Sequence, residues 1–116
     1  MKKLTSVEYE IDKNNEITVG ASFGNIVLNV SLQRLLDVFG QPTVIGSGDN
    51  KVQLEWVFYD EETKSKIFTI YDWKTNTPIH KINEWHIGRK SIDREEVHST
   101  LVKMGLTRGD EIVYVD

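Results

Sequence analysis

No cysteine occurs anywhere in the 116 residues. Its absence excludes a disulfide framework, thiol catalysis and every cysteine-built metal centre, and it is the composition expected of a chain kept in a reducing cytoplasm. Proline is scarce as well, with only Pro42 and Pro78, so few positions forbid regular structure. Long apolar runs are missing. Nothing approaches the roughly 20 apolar residues of a membrane-spanning helix. The opening Met1-Lys2-Lys3-Leu4-Thr5-Ser6-Val7-Glu8 is basic without the apolar stretch of a signal peptide. Excess positive charge is also lacking. The net charge of −4 opposes non-specific binding to bulk nucleic acid or to an anionic membrane.

What is there is the ordinary material of one globular domain, residues 1–116, with 39% hydrophobic and 28% charged residues. Val7, Tyr9 and Ile11 alternate with Glu8 and Glu10, which predicts a half-buried strand. Asp12 to Asn15 then reads as a turn, and Ile17 with Val19 as the returning strand of a hairpin. A further strand over 25–30 puts Ile26, Leu28 and Val30 on one face. Ser31 is a good N-cap, and Leu32, Leu35, Leu36 and Phe39 follow at i, i+3, i+4 and i+7, one apolar stripe on a helix that Gly40 and Pro42 end.

Gly46 to Asn50 reads as a flexible loop. The strongest strand, 52–59, places Val52, Leu54, Trp56 and Phe58 on one face and Gln53, Glu55, Val57 and Tyr59 on the other. A polar loop over 60–65 leads into a strand over 66–73, with Phe68 and Ile70 opposite Ile67, Thr69, Tyr71 and Trp73. The Trp56/Phe58/Phe68/Ile70 face of this hairpin is expected to carry the first helix. Residues 84–87 form a short strand by composition. Asp93 with Glu96 suggests a capping box opening a second helix, whose stripe is Val97, Leu101 and Met104. Ile112 to Val115 is a last strand. The fold class is therefore α+β: an antiparallel sheet of five to six strands with two short helices packed on one face.

Chemistry-bearing motifs are few. Gly46-Ser47-Gly48 leads into a strand rather than a helix and lacks the lysine of a phosphate loop. His80, His86 and His98 lack zinc-ligand spacing, so no metal and no cofactor is expected. No nucleophile elbow is present, and no catalytic residue is assigned. The paired acids at 60–62 and 95–96 sit in a loop and at a helix start, where solvated charge is ordinary. Arg108-Gly109-Asp110 reads as a turn. The densest constellation is Trp85-His86-Ile87-Gly88-Arg89-Lys90-Ser91. Gly88 permits close backbone approach, Arg89 and Lys90 supply positive charge, and the helix start after Ser91 offers free N–H groups to an anion. Trp73 and Trp85 would stack a base. The competing reading makes Trp73 and Trp85 core, Gly88 a turn residue and Arg89/Lys90 solvated.

The order Phe39-Gly40-Gln41-Pro42, Gly48-Asp49 with Lys51-Val52, Glu55-Trp56-Val57-Phe58, Phe68-Thr69-Ile70-Tyr71-Asp72-Trp73-Lys74 and Glu84-Trp85-His86-Ile87-Gly88 resembles small phage- and prophage-encoded proteins. The resemblance covers residues 32–104. It implies the cytoplasm of a bacterial host as setting, and an anti-defence role of the kind played by small phage proteins that sequester cyclic-nucleotide immune signals. The likeness to those sponges is one of context and size, so no binding residue is carried over from them. Three functions stand from the sequence. The first is a non-enzymatic accessory protein that sequesters a small anionic, nucleotide-like ligand at Trp73, Trp85, His86, Gly88, Arg89, Lys90 and Ser91, in a pocket completed by a second subunit of a homo-oligomer. The second is an inhibitor or adaptor that binds a host defence protein through Tyr59, Tyr71, Trp73 and the acidic 60–62 loop. The third is a small hydrolase using His86 as base.

Overall fold

A computed structural model describes residues 1–11, 21–46, 53–73 and 77–115. The elements in chain order are β1 (Lys2–Lys3), α1 (Ser6–Ile11), β2 (Ser22–Leu28), α2 (Leu32–Phe39), β3 (Val44–Ile45), β4 (Leu54–Tyr59), β5 (Ile67–Tyr71), a 3₁₀ turn (Ile79–Lys81), β6 (Trp85–Lys90), α3 (Arg94–Met104) and β7 (Ile112–Tyr114). The strands form one antiparallel sheet in the order β1-β4-β5-β6-β2-β7, and β3 shares with β1 the outer edge of β4. Among the described residues no helix is long and apolar enough to cross a membrane.

The hairpin of β4 and β5 takes the expected register, with Trp56 opposite Ile70 and Phe58 opposite Phe68. Alternation sends these side chains to one face. There they join Ile26 and Leu28 of β2 and Trp85 and Ile87 of β6 beneath Leu35 and Phe39 of α2 and Val97 and Leu101 of α3. Phe58 stacks on Phe68 at 4.8 Å and meets Phe39 edge-on at 5.4 Å. The two buried tryptophans, Trp56 and Trp85, meet at 5.6 Å with rings nearly perpendicular, a favoured arrangement of ring quadrupoles. Their indole N–H groups donate to Gly40 O (2.9 Å) and Val30 O (3.1 Å), one at each end of α2. The helix is thus held to the sheet at both termini. Its own start is capped as read from sequence, with Ser31 Oγ accepting from Arg34 N.

The chain start and the cap of α3 differ from expectation. Residues 6–11 are helix, not strand, and the returning strand at Ile17 and Val19 lies outside the described residues, as does the 47–52 stretch. The reason is local. Thr5-Ser6-Val7-Glu8 is itself a capping box. Thr5 Oγ1 accepts from Glu8 N at 3.1 Å, and Glu8 Oε2 accepts from Thr5 N at 2.9 Å. The box expected at Asp93 and Glu96 is not made: Asp93 forms no side-chain cap, and the Glu96 carboxylate pairs with Lys66 Nζ at 3.1 Å.

Among the described residues the strands number seven and the α-helices three, and β1 and β3 are too short to leave a periodic trace. Leu4 carries the chain onto the second face of the sheet, where it packs with Val57, Tyr59 and Ile67. The junction of β1 and β3 on the edge of β4 is closed by Thr43. Its buried hydroxyl donates to Leu4 O and accepts from Val57 N.

Candidate functional site

Alternation divides the Trp85–Ser91 constellation between opposite faces of the sheet. β6 continues to Lys90, so Trp85, Ile87 and Arg89 project to the core side and His86, Gly88 and Lys90 to the other. Trp85 is fully buried in the core and offers no face to a ligand. Arg89 is a strut. Its Nε donates to Gly24 O at 3.1 Å and its Nη1 to Ile92 O at 2.9 Å, tying the irregular stretch of β2 to the loop before α3. A Cβ on Gly24 would stand 2.3 Å from Arg89 Cγ, so the strut depends on the glycine. The start of α3 beyond the exposed Ser91 already has Asp93 at its cap and Glu95 and Glu96 in its first turn, which satisfies the dipole and repels an anion. Tyr59, expected at an interface, is only 8% exposed and packs with Leu4. The anion site anchored on Trp85, Arg89 and Ser91 is therefore not assembled.

What the fold assembles lies on the second face, beyond the part covered by Leu4. Glu55 on β4 stands opposite Tyr71 on β5, and Tyr71 opposite His86 on β6. Phe23 of β2 and Trp73, just past β5, flank this row. Phe23 and His86 are 5.2 Å apart, His86 and Tyr71 5.7 Å, and Tyr71 and Trp73 6.3 Å, the last two pairs edge-to-face. These residues, with Ala21 and Thr69, line an open cleft of about 540 Å³, inside the range of small-ligand sites. Gly88 lies beneath it, opposite Thr69. A Cβ there would come within 2.7 Å of Thr69 Oγ1 and 3.2 Å of Ala21 Cβ. The glycine thus serves close packing in the floor of the cleft. Trp73 and His86 also wall a smaller hollow of about 220 Å³ with Lys81 and Glu84, and His86 Nε2 lies 3.8 Å from Glu84 Oε1.

The electrostatics of the cleft centre on Glu55. Burial, and then the neighbouring carboxylate of Asp72, push its pKa up to about 7. Asp72 is fully buried, and its Oδ1 accepts from the backbone N–H groups of Gln53 and Leu54, both at 2.9 Å. Among the described residues no lysine, arginine or histidine pairs with Glu55. Burial, and then the charge of Glu55, raise the Tyr71 phenol. Glu55 also borders a groove of about 500 Å³ lined by Ser6, Tyr9 and Thr43. No group of three or more metal-ligating side chains is placed to hold an ion among the described residues.

The structure therefore brings together Tyr71, Trp73 and His86 over Gly88, and separates them from Trp85, Arg89 and Tyr59. Sequence reasoning passed over Phe23 and Glu55. Alternation already placed Glu55 on the same face as Tyr59, and a lone acid inside so apolar a strand was the available signal. Nothing local signals Phe23, because it joins the site through the non-local pairing of β2 with β6. Comparison of the chain with protein-family models, with curated proteins and with solved structures gives no match.

Proposed function

We propose that the protein is a binding module that holds a small ligand, or a single side chain of a partner, in the aromatic cleft of its open sheet face. One observation carries this reading. Phe23 and Trp73 are each 43% exposed and continue a row of rings through His86 and Tyr71 over a cleft of ligand size. Large rings left in water gain nothing for folding, whereas a ligand seated between them buries their surface. A raised carboxylate in the same cleft, without an ion-pair partner among the described residues, is a second cost without a folding benefit, and such groups gather at functional sites. Holding a ligand without converting it suits the accessory, sequestering role implied by the resemblance to phage proteins. Of the two cations in the anionic part of that expectation, Arg89 is engaged with backbone carbonyls on the opposite face, and Lys90 is not among the described residues that line the cleft.

The test is chemical-shift mapping of the full chain against a panel of nucleosides, aromatic alcohols and organic ammonium salts. The expected outcome is that binders perturb Phe23, Tyr71, Trp73 and His86 together, and that Trp73→Ala weakens them. A panel whose binders all map elsewhere, or that contains no binder, would overturn the reading.

A further inference from the structure

We propose that the ligand group seated in this cleft is an organic cation, a methylated ammonium, with the Phe23, Tyr71 and Trp73 rings as its walls and the Glu55 carboxylate as its counter-charge. The inference rests on the ligand-binding reading above and specifies its chemistry. Three features of the cleft select the class. First, its described lining holds four rings, including His86, and no lysine or arginine. A cation is attracted to the face of such rings, whereas an anion is not. Second, the only acid in that lining, Glu55, makes no ion pair among the described residues. An anionic ligand would oppose it, and a neutral one would bury it further without compensation. A cation reverses the cost, which burial and Asp72 have already imposed on that carboxylate.

Third, the walls of the cleft are rings. A primary ammonium is strongly hydrated and must give up its water to sit against them. A fully methylated ammonium has no N–H donors to satisfy and presents methyl groups to the rings. A metal ion is disfavoured for the complementary reason, since no cluster of three ligating side chains exists among the described residues. Other described charges near the site are Asp72, which acts on Glu55, and Glu84 and Lys81 in the adjoining hollow. Among these described residues the acids outnumber the lysine.

Choline and its neutral isostere 3,3-dimethylbutan-1-ol separate charge from shape, and calorimetry on the full chain measures both. Choline is expected to bind about tenfold tighter than the isostere, the scale of a partly desolvated cation–π contact. Glu55→Gln should narrow that gap by weakening choline, and circular dichroism certifies that the variant is folded. A trimethyllysine peptide, run beside choline, distinguishes a partner's side chain from a free small molecule, and tighter binding of either supports the inference. Equal or tighter binding of the isostere, or binding of neutral aromatics from the panel with none of choline or the peptide, would overturn the cation while leaving the cleft as a ligand site. Absence of any binder would remove both.

Discussion

Glu55 stands directly across β4 and β5 from Tyr71, and burial together with the Glu55 charge makes that phenol harder to ionise. The carboxylate is itself held up to about 7 by burial and by Asp72. An acid whose folded pKa exceeds its ordinary 4.5 binds its proton more tightly in the native state than in the unfolded one. Its cost to stability is therefore absent below pH 4.5, grows as the pH rises, and is complete above about 7.

Glu55→Gln should accordingly stabilise the fold at pH 8, by up to about 3 kcal/mol for a shift of this size, and leave it unchanged at pH 4. Urea denaturation at the two pH values checks this. An equal effect at both would show that the carboxylate's charge is not what strains the native state. The same titration predicts that a cationic ligand binds more tightly as the pH rises through about 7.

Arg89 is predicted to matter for folding and not for ligand affinity. Arg89→Ala leaves Gly24 O and Ile92 O without their donor, a loss of about 2–3 kcal/mol for two charge-assisted hydrogen bonds. Arg89→Lys should rescue little, since an ammonium lacks the planar fork that spans both carbonyls. Denaturation midpoints measure the effect. A variant that is as stable as the parent but has lost its ligand would return Arg89 to the binding site.

The three tryptophans should separate cleanly. Trp56 and Trp85 are fully buried and Trp73 is 43% exposed, so acrylamide should quench only the Trp73 component. Trp73→Phe should abolish that component while changing stability by less than about 1 kcal/mol. Trp85→Phe removes ring volume and the N–H donated to Val30, and should cost about 2–4 kcal/mol. Quenching that survives in Trp73→Phe would place another indole at the surface.

Gly88 and Thr69 should behave as a coupled pair. Gly88→Ala puts a methyl 2.7 Å from Thr69 Oγ1, and overpacking of this kind costs about 1–3 kcal/mol. Thr69→Ala removes the obstructing hydroxyl, so the double variant should recover part of the loss. Additive effects in the double-mutant cycle would contradict the close approach.

Much of this molecule was legible residue by residue. The stripe from Leu32 to Phe39, its Ser31 cap and its Gly40 stop are local signals, and α2 runs over those residues. The faces of β4 and β5 follow from a period of two, which the antiparallel register preserves. Local signals also compete. At residues 5–8 a capping box outweighed a strand-like alternation, since two reciprocal hydrogen bonds are made at once whereas a strand waits for a partner. The candidate site was legible only in part. Trp73, Tyr71, His86 and Gly88 belong to one cleft and Trp85 and Arg89 do not, because β6 runs on to Lys90 and its alternation divides neighbours in sequence between two faces.

The sequence by itself thus determined the faces, the caps and the inventory of rings and acids. Only the tertiary structure decided which rings are covered and which acid is buried in the open cleft. Those outcomes depend on β2 lying beside β6, on α2 and α3 covering one face, and on Leu4 closing only part of the other. Such pairings join residues far apart in the chain, and no local period encodes them.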